Sequence, residues 1–165
     1  MRRLEIAGVV IAAVDGACAG RDFEHALEAD IRLAAEGATF SAEGADLAAC
    51  GRRLARLLGE ARAKEIVLGA RPFDAANALR LGLITRVVPA AELDEATRGL
   101  ADTLSALPPL AVQGVQAAVR ATRELTHDAA LALEHEHFRR LVATRDHKTA
   151  VAAFFERRPP VFTGE

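Results

Sequence analysis

The stretch Gly8-Val9-Val10-Ile11-Ala12-Ala13-Val14 is an unbroken apolar run with four β-branched residues, and it stops at Asp15-Gly16. A short continuous run of this kind, closed by turn-forming residues and free of polar alternation, predicts a strand buried on both faces. Such strands belong to parallel sheets covered by helices. Beyond the run, a turn punctuated by Gly16 and Gly20 leads into an expected short helix over residues 22–29. Asp22 is its candidate N-cap and Glu24 lies in its first turn. A second short strand is expected over residues 31–35.

The N-terminus also invites a signal-peptide reading, because Arg2-Arg3 precedes the apolar run and Ala17-Cys18-Ala19 follows it. Glu5 at the mouth of the run and Asp15 in the would-be cleavage region argue against that. The run is also far shorter than the ~20 residues of a membrane span, so no membrane partner is expected. With Lys+Arg 21 against Asp+Glu 23, no basic excess is available for a run of phosphates, and nucleic-acid binding is not expected. Cys18 and Cys50 are too few and too far apart for a disulfide scaffold or a zinc site. A reducing cytoplasm is the expected setting.

Elsewhere, 51% hydrophobic residues over 165 positions suffice for one sizeable core. Alanine makes up about a fifth of the chain, which favours closely packed helices. Residues 40–51, with Gly44 and Gly51, read as a loop. From Arg52 an apolar face (Leu54, Leu57, Leu58, Ala61, Ile66, Leu68) predicts helix up to Gly69. Asp74 caps an expected helix over residues 75–81 that Gly82 closes, and residues 83–88 form a strand stopped by Pro89. Three or four helices should fill the remainder, over residues 92–107, 110–124, 129–144 and 147–155, punctuated by Pro108-Pro109 and Pro159-Pro160. This divides the chain into an α/β part, 1–90, and a helical part, 91–165. Three short strands cannot make a covered parallel sheet alone, so the chain reads as the later part of a larger layered core.

Ile11-Ala-Ala-Val-Asp-Gly-Ala-Cys-Ala-Gly20, with Glu24, Asp30 and Phe40 beyond it, resembles the enoyl-CoA hydratase/isomerase (crotonase) superfamily. Three further blocks resemble the family in the same order: Leu57-Leu58-Gly59 with Ala63; residues 69–75 followed by 78–83 and 87–89; and residues 153–164. The resemblance implies an α/β fold, namely a partial crotonase-like core of ββα turns with a helical C-terminal region. It also implies an acyl-CoA thioester as substrate, with no cofactor beyond the CoA that the substrate carries and no metal. Assembly would be a homo-oligomer, a trimer or a dimer of trimers. The chemistry implied is that of fatty acid metabolism: hydration of a 2-enoyl-CoA, a lyase-type reaction run in reverse, or double-bond isomerisation.

The same resemblance assigns the site. Gly20 and Arg21 occupy the family's Gly-Gly-Gly, so Arg21 N–H takes the place of an oxyanion-hole donor. Glu24 matches an acid/base glutamate. Glu43 stands one residue out of register with the second one. Phe154 and Arg157 match positions that contact CoA, the arginine as a phosphate partner. Arg21, the shortened Gly-rich loop after Glu43-Gly44 and the expectation that a family segment preceding this stretch is absent all point to weak hydratase activity of the chain alone. The alternative is a degenerate, non-catalytic half that serves as an oligomerisation partner. Glu134-His135-Glu136-His137 reads as a solvated helix face, because i,i+2 side chains diverge, and the two cysteines read as small buried residues.

Overall fold

The computed structural model describes residues 1–122 and 124–165, which form two compact units, Met1–Ala101 and Asp102–Glu165. In the first, β1 (Arg2–Ile6) and β2 (Val9–Val14) make an antiparallel hairpin, registered from Arg2 opposite Ala13 to Ile6 opposite Val9. Its two-residue turn places Ala7 at φ 52° and Gly8 at φ 79°. Positive φ at both positions gives the turn a twist that matches the strands. On its other edge β2 pairs in parallel with β4 (Ile31–Ala35), and β4 pairs in parallel with β7 (Arg86–Val88), giving the order β1-β2-β4-β7. The buried strand is therefore parallel on one side only, because the charged residues ahead of it fold back as an edge strand.

Three two-residue strands form a second sheet: β3 (Ala17–Cys18), β5 (Thr39–Phe40) and β6 (Phe73–Asp74), in the order β3-β5-β6. The first unit thus holds seven strands where the sequence predicts three. Around them run α1 (Arg21–Glu28), α2 (Leu47–Leu58), α3 (Glu60–Gly69) and α4 (Ala75–Leu81); a 3-10 turn at Ala90–Glu92 then leads into α5 (Leu93–Ser105). Three sequence expectations need correction. Gly20, not Asp22, occupies the N-cap of α1, because the chain enters the helix at φ 55° and ψ −130°. The segment read as a loop up to Gly51 is already helical from Leu47, capped by Asp46. The helix expected from Arg52 to Gly69 is two helices, broken at Gly59 with φ 85°.

Phe23, Phe40, Leu54 and Cys50 lie in a sealed core with residues of α3 and α4 such as Ile66 and Ala78. Arg32 is buried at the end of α1. Its Nε donates to Leu83 O at 2.7 Å, and its Nη1 to Ala26 O at 3.2 Å and to Ala29 O. The cation thus meets carbonyls at the C-terminal end of α1, the negative end of the helix dipole.

In the second unit, α6 (Pro109–Ala121), α7 (His127–Val142) and α8 (Arg145–Glu156) follow the proline-punctuated pattern, with Pro109 in the first turn of its helix. Thr126 and Thr144 cap α7 and α8, accepting from Ala129 N–H at 3.4 Å and from His147 N–H at 3.1 Å. The tail is fastened by Asp146, 4% exposed, whose carboxylate accepts from Thr163 N–H and Gly164 N–H, both at 2.9 Å.

Candidate active site

The turn that starts α1 is held against the segment that precedes α2. Gly20 N–H donates to Glu43 O at 2.9 Å. A Cβ on Gly20 would lie 3.4 Å from Gly44 O and 3.8 Å from Glu43 O, at a φ that L side chains resist. Glycine is therefore needed for the backbone angle, while the space itself would admit a Cβ at van der Waals contact. The next amide, Arg21 N–H, finds no acceptor among the described residues and stands at the positive end of α1. The Arg21 side chain is exposed.

Glu24 lies one turn along α1 and is half-buried. Its Oε1 accepts from Asp46 N–H at 2.8 Å, while Oε2 has no partner among the described residues. Asp46 also caps α2, with Oδ1 accepting from Ala48 N–H and Ala49 N–H, both at 3.0 Å. One residue thus orients the Glu24 carboxylate through its backbone and starts a helix through its side chain. Ser41 sets the neighbouring bend. Its Oγ accepts from Glu43 N–H at 3.1 Å and donates to Ala70 O at 3.3 Å.

Gly20, Arg21, Glu24 and the Glu43 backbone therefore come together, while the Glu43 residue is exposed. Phe154 and Arg157 belong to the second unit: Phe154 is 79% exposed and Arg157 closes α8 at φ 53°. Asp46 and Ser41 escaped the sequence reading. A helix-capping aspartate three residues beyond Glu43 is a signal that could have found the first of them. Burial, reinforced by Asp22, pushes the Cys18 thiol up to about 12. The Cys50 thiol is also raised, mainly by burial and then by the Glu24 and Asp46 carboxylates. Thiols held protonated in this way are poor nucleophiles near neutral pH. Within Glu134–His137, Glu136 pairs with Arg140, and His137 packs on Gly114.

The family model described as enoyl-CoA hydratase/isomerase matches residues 1–165. The chain belongs to the enoyl-CoA hydratase/isomerase family. It is 36% identical over 163 residues to a short-chain-enoyl-CoA hydratase of Clostridium acetobutylicum, covering 95% of this chain and 62% of that protein. It is 34% identical over 160 residues to the 2,3-dehydroadipyl-CoA hydratase of Escherichia coli, covering 94% and 63%. The crystal structure of an enoyl-CoA hydratase from Bacillus anthracis superposes with a TM-score of 0.89 at 32% identity, over 96% of this chain and 64% of that one. The chain thus spans a little under two thirds of these enoyl-CoA hydratase/isomerase relatives, and it shares their mixed α/β fold. Among the described residues, no helix is long and apolar enough to cross a membrane.

Proposed function

We propose that the chain carries part of an acyl-CoA thioester site whose chemistry is hydration of a 2-enoyl-CoA. The observation that carries this is the Arg21 N–H, unpaired at the N-terminus of α1, one turn from a glutamate with one oxygen already engaged and the other free. A backbone donor at a helix N-terminus stabilises negative charge as it develops on the thioester oxygen. That charge appears when water adds at the β-carbon and the electrons of the double bond move toward the carbonyl. Glu24 Oε2 is the base that takes a proton from the attacking water, and the same carboxyl can return a proton to the α-carbon. Asp46 N–H, bonded to Oε1, fixes the rotamer, so Oε2 is presented without reorganisation. Glu43 is an auxiliary carboxylate on the facing loop. Phe154 and Arg157 are the proposed CoA contacts, the arginine pairing with phosphate. Assembly as a homo-oligomer and a place in the cytoplasm, where two buried free thiols stay reduced, complete the reading.

The test follows loss of the conjugated-thioester absorbance of a short 2-enoyl-CoA. Glu24→Gln should lower the rate by about 10² to 10⁴ with the fold intact by circular dichroism. Turnover by a folded Glu24→Gln variant at the parent rate would overturn the assignment. Movement of a double bond without uptake of water would mark isomerisation. Thioester binding without either reaction would mark the non-catalytic alternative.

A further inference from the structure

A second charged hollow lies in the first unit, between α3 and α4 and the loop that joins them. Arg62, Arg71 and Arg80 line it together with one carboxylate, Glu65, so the hollow carries an excess of positive charge. Its volume is about 430 Å³, within the roughly 300 to 1,000 Å³ of small-molecule sites. Ile66, Phe73 and Leu81 give it an apolar wall.

The three guanidiniums are not neutralised. Among the described residues, no carboxylate lies within ion-pair distance of Arg62, Arg71 or Arg80. The hollow beside β1 differs in this respect, because its Arg2 pairs with Asp94 and its Arg3 with Glu28 at 3.6 Å. One of these cations, Arg80, is also held through its side chain. Arg80 Nη2 donates to Asn77 Oδ1 at 2.9 Å, and Asn77 Nδ2 in turn donates to Asp74 Oδ1 at 2.9 Å. Arg71 stands between Ala70, at φ 46° and tied through its carbonyl to Ser41, and Pro72, whose ring restricts the residue before it. Phe73 stacks on Phe40, with ring centroids 5.8 Å apart.

We propose that this hollow binds a small organic anion, a phosphate or carboxylate joined to a flat apolar body, and that it is separate from the thioester site. Guanidinium forks match both oxyanion geometries, and the Arg80 fork, already held by Asn77, loses less freedom on binding. The apolar wall means that an anion with a ring gains over a bare one. Glu65, unpaired among the described residues, gives a hydroxyl or amine on the ligand an acceptor.

Titration calorimetry of the full chain with phenyl phosphate, benzoate, inorganic phosphate and benzylammonium tests this. Phenyl phosphate and benzoate should both bind, phenyl phosphate at least tenfold tighter than inorganic phosphate, and benzylammonium should not bind. Arg62→Gln and Arg71→Gln should each weaken phenyl phosphate by about tenfold with an unchanged melting temperature. Lys64→Gln, which removes a cation of α3 that already pairs with Glu60, should leave binding unchanged. Glu24→Gln, which acts on the thioester site, should leave phenyl phosphate binding unchanged, whether or not the chain turns over an enoyl-CoA. Equal affinity for phenyl and inorganic phosphate, arginine variants that bind like the parent, or loss of phenyl phosphate binding in Glu24→Gln would each overturn the proposal.

Discussion

In the first unit Phe23, Leu33, Phe40 and Leu54 are sealed from solvent, whereas in the second Phe138, Phe154 and Phe155 stand 66%, 79% and 79% exposed. The buried apolar side chains among the described residues of the second unit are Val112, Ala121 and Ala153, none of them large, and α7 contributes none. Among its described residues the most deeply buried charged one is Asp146, which is engaged with the tail. One unit is therefore organised from within by packing, and the other by caps and a polar clamp, with many of its large apolar side chains turned outward. Apolar side chains exposed in this way are the ones a test of self-association should probe.

The largest expected effect lies in the packed unit. Phe23→Ala should cost about 3 to 5 kcal/mol in urea unfolding, the range for an emptied core aromatic. A cost near zero would mean that the first unit is no better packed than the second. Asp146→Ala comes next. It strands two amides that now donate to a carboxylate, and it should cost the second unit about 2 to 3 kcal/mol. Hydrogen exchange should show this as lost protection at Thr163 and Gly164, with the first unit unaffected.

A smaller effect concerns alkaline pH. The Cys18 thiol is held at about 12 against an ordinary 9.0, so below pH 9 both folded and unfolded chains keep its proton and its contribution is fully present. As pH rises from 9 toward 12 the unfolded chain releases that proton first, and stability falls by at most about 1.4 kcal/mol per pH unit. Cys18→Ala should remove that part of the slope. The smallest effect on stability is expected from Phe154→Ser with Phe155→Ser, whose rings lie in solvent in the single chain. In sedimentation velocity the parent should self-associate at micromolar concentration and the double variant should shift toward monomer. A parent that is monomeric at that concentration would break the comparison.

What was legible in the sequence follows the same division between local and long-range causes. The strand Ile31–Ala35 and the helix Ala75–Leu81, with Asp74 and Gly82 at its ends, were readable because their signals are confined to adjacent residues. β3, β5 and β6 were not, since two-residue strands exist only through partners far along the chain. The start of α2 was missed because Gly44 and Gly51 outweighed the cap at Asp46. β1 was missed because Arg2, Arg3 and Glu5 suit an exposed edge but not a buried run. At the site, Glu24 could be named from resemblance, yet the Asp46 amide that orients it lies 22 residues away and is a product of folding.

The hairpin turn at Ala7-Gly8 has a mechanical meaning. Successive side chains of a strand point to opposite faces, and Arg2 and Arg3 take Asp94 and Glu28, which belong to α5 and α1. The hairpin thus sends one cation to each of two helices, α5 and α1. Its length is set by a turn of only two residues. A one-residue slip of register there would exchange the faces of β1 and move both cations from their partners together, so this edge tolerates changes of side chain far better than changes of length.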